Sequence, residues 1–148
     1  MVRGLIAWLT ARLSRKLNAP VRLADAAGEP RDRIWLGSFG EDVAAAYLRS
    51  KGYRILARNF RGHRGGEVDV VAAHGRLLLF VEVKTRKAET KIRPLDAVDK
   101  TKQALITRGA DAWLRRLGTR EVPWRFDVIE VLVSEGRKPE VRHVRDAF

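Results

Sequence analysis

A chain of 148 residues fits one domain with a core large enough to fold unaided. It has no cysteine, which excludes disulfides, thiolate catalysis and sulfur-ligated zinc and suits a reducing cytoplasm. Thirty Lys and Arg against eighteen Asp and Glu leave a formal net charge of +12, which favours a polyanionic partner, nucleic acid first, with mere solubilisation as the plain alternative.

The first 23 residues carry no acidic side chain. Val2, Leu5, Ile6, Leu9, Leu13 and Leu17 fall near one helical stripe, with Arg3, Arg12, Arg15 and Lys16 mostly off it. The apolar part is too short for a secretory signal, and no apolar run nears the ~20 residues that cross a membrane. The roles open to this basic amphipathic segment are a docked or frayed extension, a membrane-surface helix, a transit segment, or an addition to nucleic-acid binding. Asn18 to Arg33, with Pro20, Gly28 and Pro30, reads as a linker, so an extension over 1–34 precedes a domain over 35–148.

Ser38-Phe39-Gly40-Glu41 has the form of a capping box and predicts a helix from about Gly40 to Lys51, with Val43, Ala44, Tyr47 and Leu48 inward. Glu41 then has two readings: a cap on a backbone N–H, or a functional acid in the first turn. Tyr53 to Phe60 is a predicted strand, with Tyr53, Ile55 and Ala57 on one face and Leu56 on the other. The basic, glycine-rich stretch 59–66 follows. It lets backbone approach a phosphate and offers Arg61, His63 and Arg64 as donors, or else it is a plain basic turn. It has no P-loop ending.

Two strands come next. Leu77-Leu78-Leu79-Phe80-Val81-Glu82-Val83-Lys84 is oily enough to be covered on both faces, yet Glu82 and Lys84 interrupt it from one side. Glu67-Val68-Asp69-Val70-Val71 repeats the pattern. A buried carboxylate without a partner tends to neutralise, so such a cluster needs a cation. With His74-Gly75 as the two-residue turn, Ala73 lies opposite Arg76, Phe80 opposite Asp69 and Glu82 opposite Glu67. Glu67, Asp69, Glu82 and Lys84 then share a face, with Asp69 and Glu82 diagonal neighbours at roughly 7–8 Å. Two carboxylates so placed can close on one divalent ion. The bland alternative, a surface hairpin with ordinary salt bridges, conflicts with Leu78 and Phe80 on the same face.

Residues 85–94 read as a charged connection and about Asp96 to Leu117 as a long helix, its stripe made of Val98, Leu105, Gly109, Ala112, Trp113 and Leu117. Lys102 falls on that stripe, either snorkelling or reaching a phosphate, and Gln103 is a weaker hydrogen-bonding candidate. Trp124 to Val133 is a strand with Asp127 as a structural acceptor, and 140–145 a short edge strand.

In order, these motifs resemble the restriction-endonuclease-like PD-(D/E)xK superfamily, and more closely the YraN-like family of bacterial proteins, related to archaeal Holliday-junction resolvases. The resemblance rests on Leu36-Gly37-x-x-Gly40-Glu41, on Gly52-Tyr53-x-Ile55-Leu56-Ala57-Arg58-Asn59 and on Gly66-Glu67-Val68-Asp69-Val70-Val71. It continues through Phe80-Val81-Glu82-Val83-Lys84-Thr85-Arg86, Val98-x-x-x-Lys102, Arg125-Phe126-Asp127-Val128 and Asp146-Ala147-Phe148. Val68 stands where the superfamily signature has proline, as is usual in the YraN-like group.

The resemblance implies an α/β fold with a mixed four- to five-stranded sheet flanked by helices in the order α-β-β-β-α-β-β. It implies a metal-dependent nuclease acting on DNA, branched or flapped substrates included. Glu41, Asp69 and Glu82, with the Val83 carbonyl, would bind Mg²⁺ or Mn²⁺, ions suited to hard oxygen donors. Lys84 would orient or help deprotonate the attacking water. Arg61, His63, Arg64, Arg86 and Lys102 would contact nucleic acid, with Glu67 and Gln103 as secondary candidates. Resolvase relatives act as dimers, which raises a homodimer here. The competing expectation is a nucleic-acid-binding protein that keeps the fold without turnover.

Overall fold

The computed structural model of the chain describes residues 2–89 and 98–148. Eight elements follow one another: α1 (Val2–Asn18), α2 (Arg33–Ser50), β1 (Arg54–Arg61), β2 (Glu67–His74), β3 (Leu77–Lys87), α3 (Lys100–Leu117), β4 (Trp124–Val133) and β5 (Glu140–Val144). The strands form one sheet in the order β1-β2-β3-β4-β5. Among the described strands only β3 and β4 pair in parallel, and these are the two joined through α3. A parallel step needs such a crossover, whereas the antiparallel steps are closed by short turns. This five-stranded mixed sheet flanked by helices is consistent with the expected restriction-endonuclease-like core.

Two apolar layers hold the sheet. On one face Phe39, Val43, Ala44 and Leu48 of α2 pack on Val70, Ala72, Leu79, Val81, Ile129 and Val131. On the other, Ile106, Ala110 and Leu114 of α3 pack on Val71, Ala73, Leu78, Phe80 and Val128. The central strands are thus buried on both faces, as their unbroken apolar runs require. Residues between α1 and α2 are tied to the β4–β5 turn. Val21 is buried, its N–H donates to the Arg137 carbonyl at 2.8 Å, and its carbonyl accepts from Gly136 N–H at 2.9 Å. Among the described residues no helix is long and apolar enough to cross a membrane.

Four local expectations are corrected. The first is the start of α2, which begins at Arg33 and not near Gly40: the Asp32 carboxylate caps it by accepting Trp35 N–H at 2.8 Å. Trp35 stacks on Phe39 at 5.0 Å, continuing the apolar stripe one turn further back than Gly37 and Gly40 suggest. Glu41 is therefore mid-helix and caps nothing.

The β2–β3 turn is Gly75-Arg76, because His74 pairs with Leu77; Val71 lies opposite Phe80 and Val70 opposite Val81. The register slides by two residues from the expected one, so every side chain keeps its face. In β1, a bulge between Ile55 and Ala57 moves Ala57 to the α3 side, while Tyr53 and Ile55 stay on the α2 side. The fully buried stripe of α3 is Ile106, Gly109, Ala110 and Leu114, rotated from the expected Leu105 and the half-exposed Leu117, while the expected Val98 and Gly109 are buried and Ala112 and Trp113 pack at the edge of the core. Apolar residues lie at both spacings, and only contact with the sheet selects one. The expected helix start at Asp96 lies outside the described residues; α3 is capped by Asp99, which accepts Lys102 N–H at 2.8 Å.

Candidate active site

The β2–β3 ladder ends at Val70–Val81. Just beyond it Asp69 enters the opening, and its Oδ2 accepts Val83 N–H at 2.8 Å. Continuing the register by one step sets Asp69 level with Glu82, closer than the diagonal expected. Glu82 is only 1 % exposed. Its Oε1 receives Lys84 Nζ at 2.9 Å and Lys102 Nζ at 3.5 Å, and Lys102 also pairs with Glu67. Its Oε2 is buried with no hydrogen-bond partner. Burial, and then the charge of Asp69, push the Glu82 carboxyl up to about 7 despite both lysines. Burial acts to lower the Lys102 pKa, but Glu67, Glu82 and Asp69 outweigh it and hold it above the ordinary value. The Lys102 hydrogen bond holds Glu67 below its ordinary value.

Close packing of α3 on β2 puts Lys102 there. A Cβ on Gly66 would stand 2.4 Å from Gly109 N, and one on Gly109 would meet Val68 Cγ2 at 2.8 Å. Helix and strand backbones touch at this crossing, and Lys102 projects from the helix two turns before it. On the opposite face Gly40 lets α2 approach β3: a Cβ there would sit 1.6 Å from Thr85 Oγ1.

Other expected site residues are placed differently. The Glu41 carboxylate accepts Asn59 Nδ2 at 3.0 Å, and Asn59 holds a left-handed backbone, φ 51°. Burial raises the Glu41 pKa, Asn59 opposes this, and Asp69 is near enough to add to the rise. Among the described residues, however, no three His, Asp or Glu side chains gather closely enough to hold a metal ion by themselves. The converged pair is Asp69 with Glu82. Gln103 turns away, donating to the Val98 carbonyl at 3.0 Å. Arg86 faces Glu130 with Nε 3.4 Å from its Oε1, and Glu130 is 1 % exposed, so this arginine partners a buried acid.

Arg61, His63 and Arg64 lie outside the Asp69–Glu82 pair, along an open cleft of ≈ 860 Å³ between the β1–β2 loop and α3, with Arg61 opposite Glu67 across the β1–β2 ladder. Within the loop two backbone donors are already engaged, Gly62 N–H with the Gly66 carbonyl and Gly65 N–H with the Gly62 carbonyl. The far wall carries Arg108, Arg115 and Arg116, which sequence reading missed. Their spacing of seven and eight residues marks one helical face, a signal that was present in the sequence.

Residues 40–131 match the profile of the uncharacterised protein family UPF0102. The chain belongs to this family. Over 113 residues it is 50% identical to a UPF0102 protein of Geobacter sulfurreducens, covering 76% of this chain and 88% of that one. A UPF0102 protein of Rhodococcus jostii is 47% identical over 113 residues, covering 76% and 95%. One from Chlorobaculum tepidum is 45% identical over 119 residues, covering 77% and 92%. The expected YraN-like membership holds. The UPF0102 match spans α2 from Gly40, β1, β2, β3, α3 and β4 as far as Val131, and so takes in Glu41, Asp69, Glu82, Lys84 and Lys102.

Proposed function

We propose that this UPF0102 protein is a metal-dependent nuclease of the cytoplasm, hydrolysing phosphodiester bonds of DNA, branched or flapped substrates among them. The observation that carries the reading is Glu82: a carboxylate 1 % exposed, beside Asp69, with one oxygen free of any partner. A fold that buries Glu82 against the charge of Asp69 places it at a cost that a cation removes. The donor set suits Mg²⁺ or Mn²⁺, since Mg²⁺ is commonly held by one or two carboxylates and completes its shell with water and substrate phosphate. Asp69 and Glu82 would hold the ion, with the Val83 carbonyl and Glu41 as further oxygen donors. Such an ion supplies charge neutralisation at the phosphoryl oxygens and a more acidic water.

The chain's own groups supply the rest. Lys84, held by Glu82 at 2.9 Å, presents an ammonium that orients a water by donating to it from Nζ. Lys102, drawn to Glu67 and Glu82, is a second cation for a phosphate oxygen. A homodimer, as the resolvase likeness implies, would set two such sites on one branched duplex.

The test is a panel of plasmid, flap, four-way junction and single-stranded DNA with Mg²⁺, Mn²⁺ or EDTA. Cutting is expected with either metal. Asp69→Ala and Lys84→Ala should each reduce it at least 100-fold while circular dichroism stays unchanged. A second reading, binding without turnover, is favoured by the existing Lys84–Glu82 and Lys102–Glu67 pairs and by the lack of a third converged acid among the described residues. Tight binding with no cleavage of any substrate in either metal would select it.

A further inference from the structure

We infer that the cleft between the β1–β2 loop and α3 grips the phosphodiester backbone of double-stranded nucleic acid without reading its bases. This deepens the nuclease reading and rests on it only for what happens at the carboxylates; the grip itself does not depend on turnover.

The first support is charge left uncompensated. Arg61, Arg64, Arg108, Arg115 and Arg116 line one cleft with His63, and among the described residues none of the five arginines is ion-paired. The single acid on its wall, Asp111, is already held by Arg120 at 2.7 Å. Glu67, which the Arg61 charge reaches, is already paired with Lys102, so five guanidinium groups gathered with so little counter-charge bear a self-repulsion that a polyanion relieves. Arginine forks also suit phosphate oxygens, which accept two parallel hydrogen bonds.

Spacing is the second support. Arg108, Arg115 and Arg116 repeat along one face of α3, and seven to eight residues at 1.5 Å each give a row roughly 10–12 Å long. Phosphates advance ~3.4 Å along the axis per nucleotide of one duplex strand, so the row spans about three of them. Arg61 and Arg64 face it from the loop.

The third support is the absence of a stacking platform. Among the described residues the cleft's one benzenoid ring, Phe60, is 8 % exposed and is covered edge-on by Trp113 at 5.1 Å and by the Arg116 guanidinium at 5.8 Å, which leaves the small His63 imidazole as its exposed ring. Single-strand binders rely on exposed rings for stacking with bases. A cleft of cations with its ring covered reads backbone, not bases. The cleft also adjoins the carboxylates: the Arg61 charge reaches Glu67, which Lys102 links to Glu82. A strand lying in the cleft would pass toward Asp69.

The experiment measures binding of a fluorescent 20-base-pair duplex and the matching single strand by anisotropy in EDTA, from 50 to 300 mM salt. The Arg108→Ala/Arg115→Ala/Arg116→Ala protein should bind duplex about 10- to 100-fold more weakly, with a salt slope shallower by about 2–3. Arg61→Ala/Arg64→Ala should act in the same direction from the opposite wall. Arg22→Ala/Arg33→Ala/Lys138→Ala, which removes equal charge from exposed positions outside the cleft, should change affinity less than 3-fold. Equal losses in cleft and control proteins would overturn the inference, as would tighter binding of single strand than duplex. Because EDTA prevents metal-dependent cutting, a protein that binds as described but never cleaves sinks the nuclease reading and leaves this one standing.

Discussion

Glu82 shows how one residue carries both a structural cost and a chemical use. Its carboxyl titrates near 7 because burial and Asp69 disfavour the anion more than Lys84 and Lys102 favour it. An acid whose folded pKa is raised lowers stability as pH climbs from its unfolded value, near 4.5, through 7, and the penalty is constant above that. Metal-free protein should therefore lose stability between pH 5 and pH 7.5. Glu82→Gln, which keeps the shape without the charge, should melt higher than wild type at pH 8 and close to it at pH 5. The ceiling on this gain is about 3 kcal/mol, since raising the carboxyl from 4.5 to about 7 costs roughly 1.36 kcal/mol for each tenfold change in its proton affinity. Mg²⁺ should raise the wild-type Tm at pH 8 and leave the Gln variant nearly unmoved. Calorimetry across pH, with and without Mg²⁺, checks both, and a Gln variant whose advantage over wild type is no larger at pH 8 than at pH 5 would refute the assignment.

At the scale of elements, the site depends on two contacts that only glycine permits. Gly66 has φ 87°, and the place of its missing side chain is filled by the α3 backbone at Gly109. Gly66→Ala brings both a strained backbone and a clash with atoms that cannot swing aside, so a loss of about 2–4 kcal/mol is expected. Urea denaturation measures it. Because α3 would have to lift from β2, Lys102 should leave Glu67, and the proposed DNA cutting should fall further than stability accounts for. The hairpin teaches the complementary lesson: Gly75-Arg76 replaces the expected turn, yet a slide of two residues preserves parity, so Asp69, Glu82 and Lys84 still meet. Where parity did fail, as at the β1 bulge, only the partner strand could have revealed it.

Across the whole molecule, the C-terminus is bolted to the sheet through Asp127. This carboxylate is fully buried and accepts Arg125 Nε at 2.8 Å and Nη2 at 3.1 Å, His143 Nε2 at 2.7 Å and Asp146 N–H at 3.0 Å. Phe148 then stacks on Phe126 at 4.8 Å. Burial alone would raise the Asp127 pKa, but His143, Arg125 and Asp146 together hold it below the ordinary value. A depressed acid contributes stability above its unfolded pKa, near 3.9, and loses it as pH falls through the folded value. Asp127→Asn should cost about 3–5 kcal/mol at pH 7 and less at pH 3, which urea titrations at the two pH values would show. Equal losses at both would contradict the pairing.

Sequence alone determined the elements, the double-sided burial of the central strands and the acids and lysine that interrupt them, because alternation and apolar runs are local signals. It also determined the surplus of positive charge. Tertiary structure decided the rest: that Glu41 is engaged by Asn59 and no cap, that Arg86 serves Glu130, that Lys102 reaches Glu82, and that arginines from a loop and a helix form one cleft. Each of these depends on distances between segments far apart in the chain, which helix and strand periodicities do not encode until packing brings the segments together.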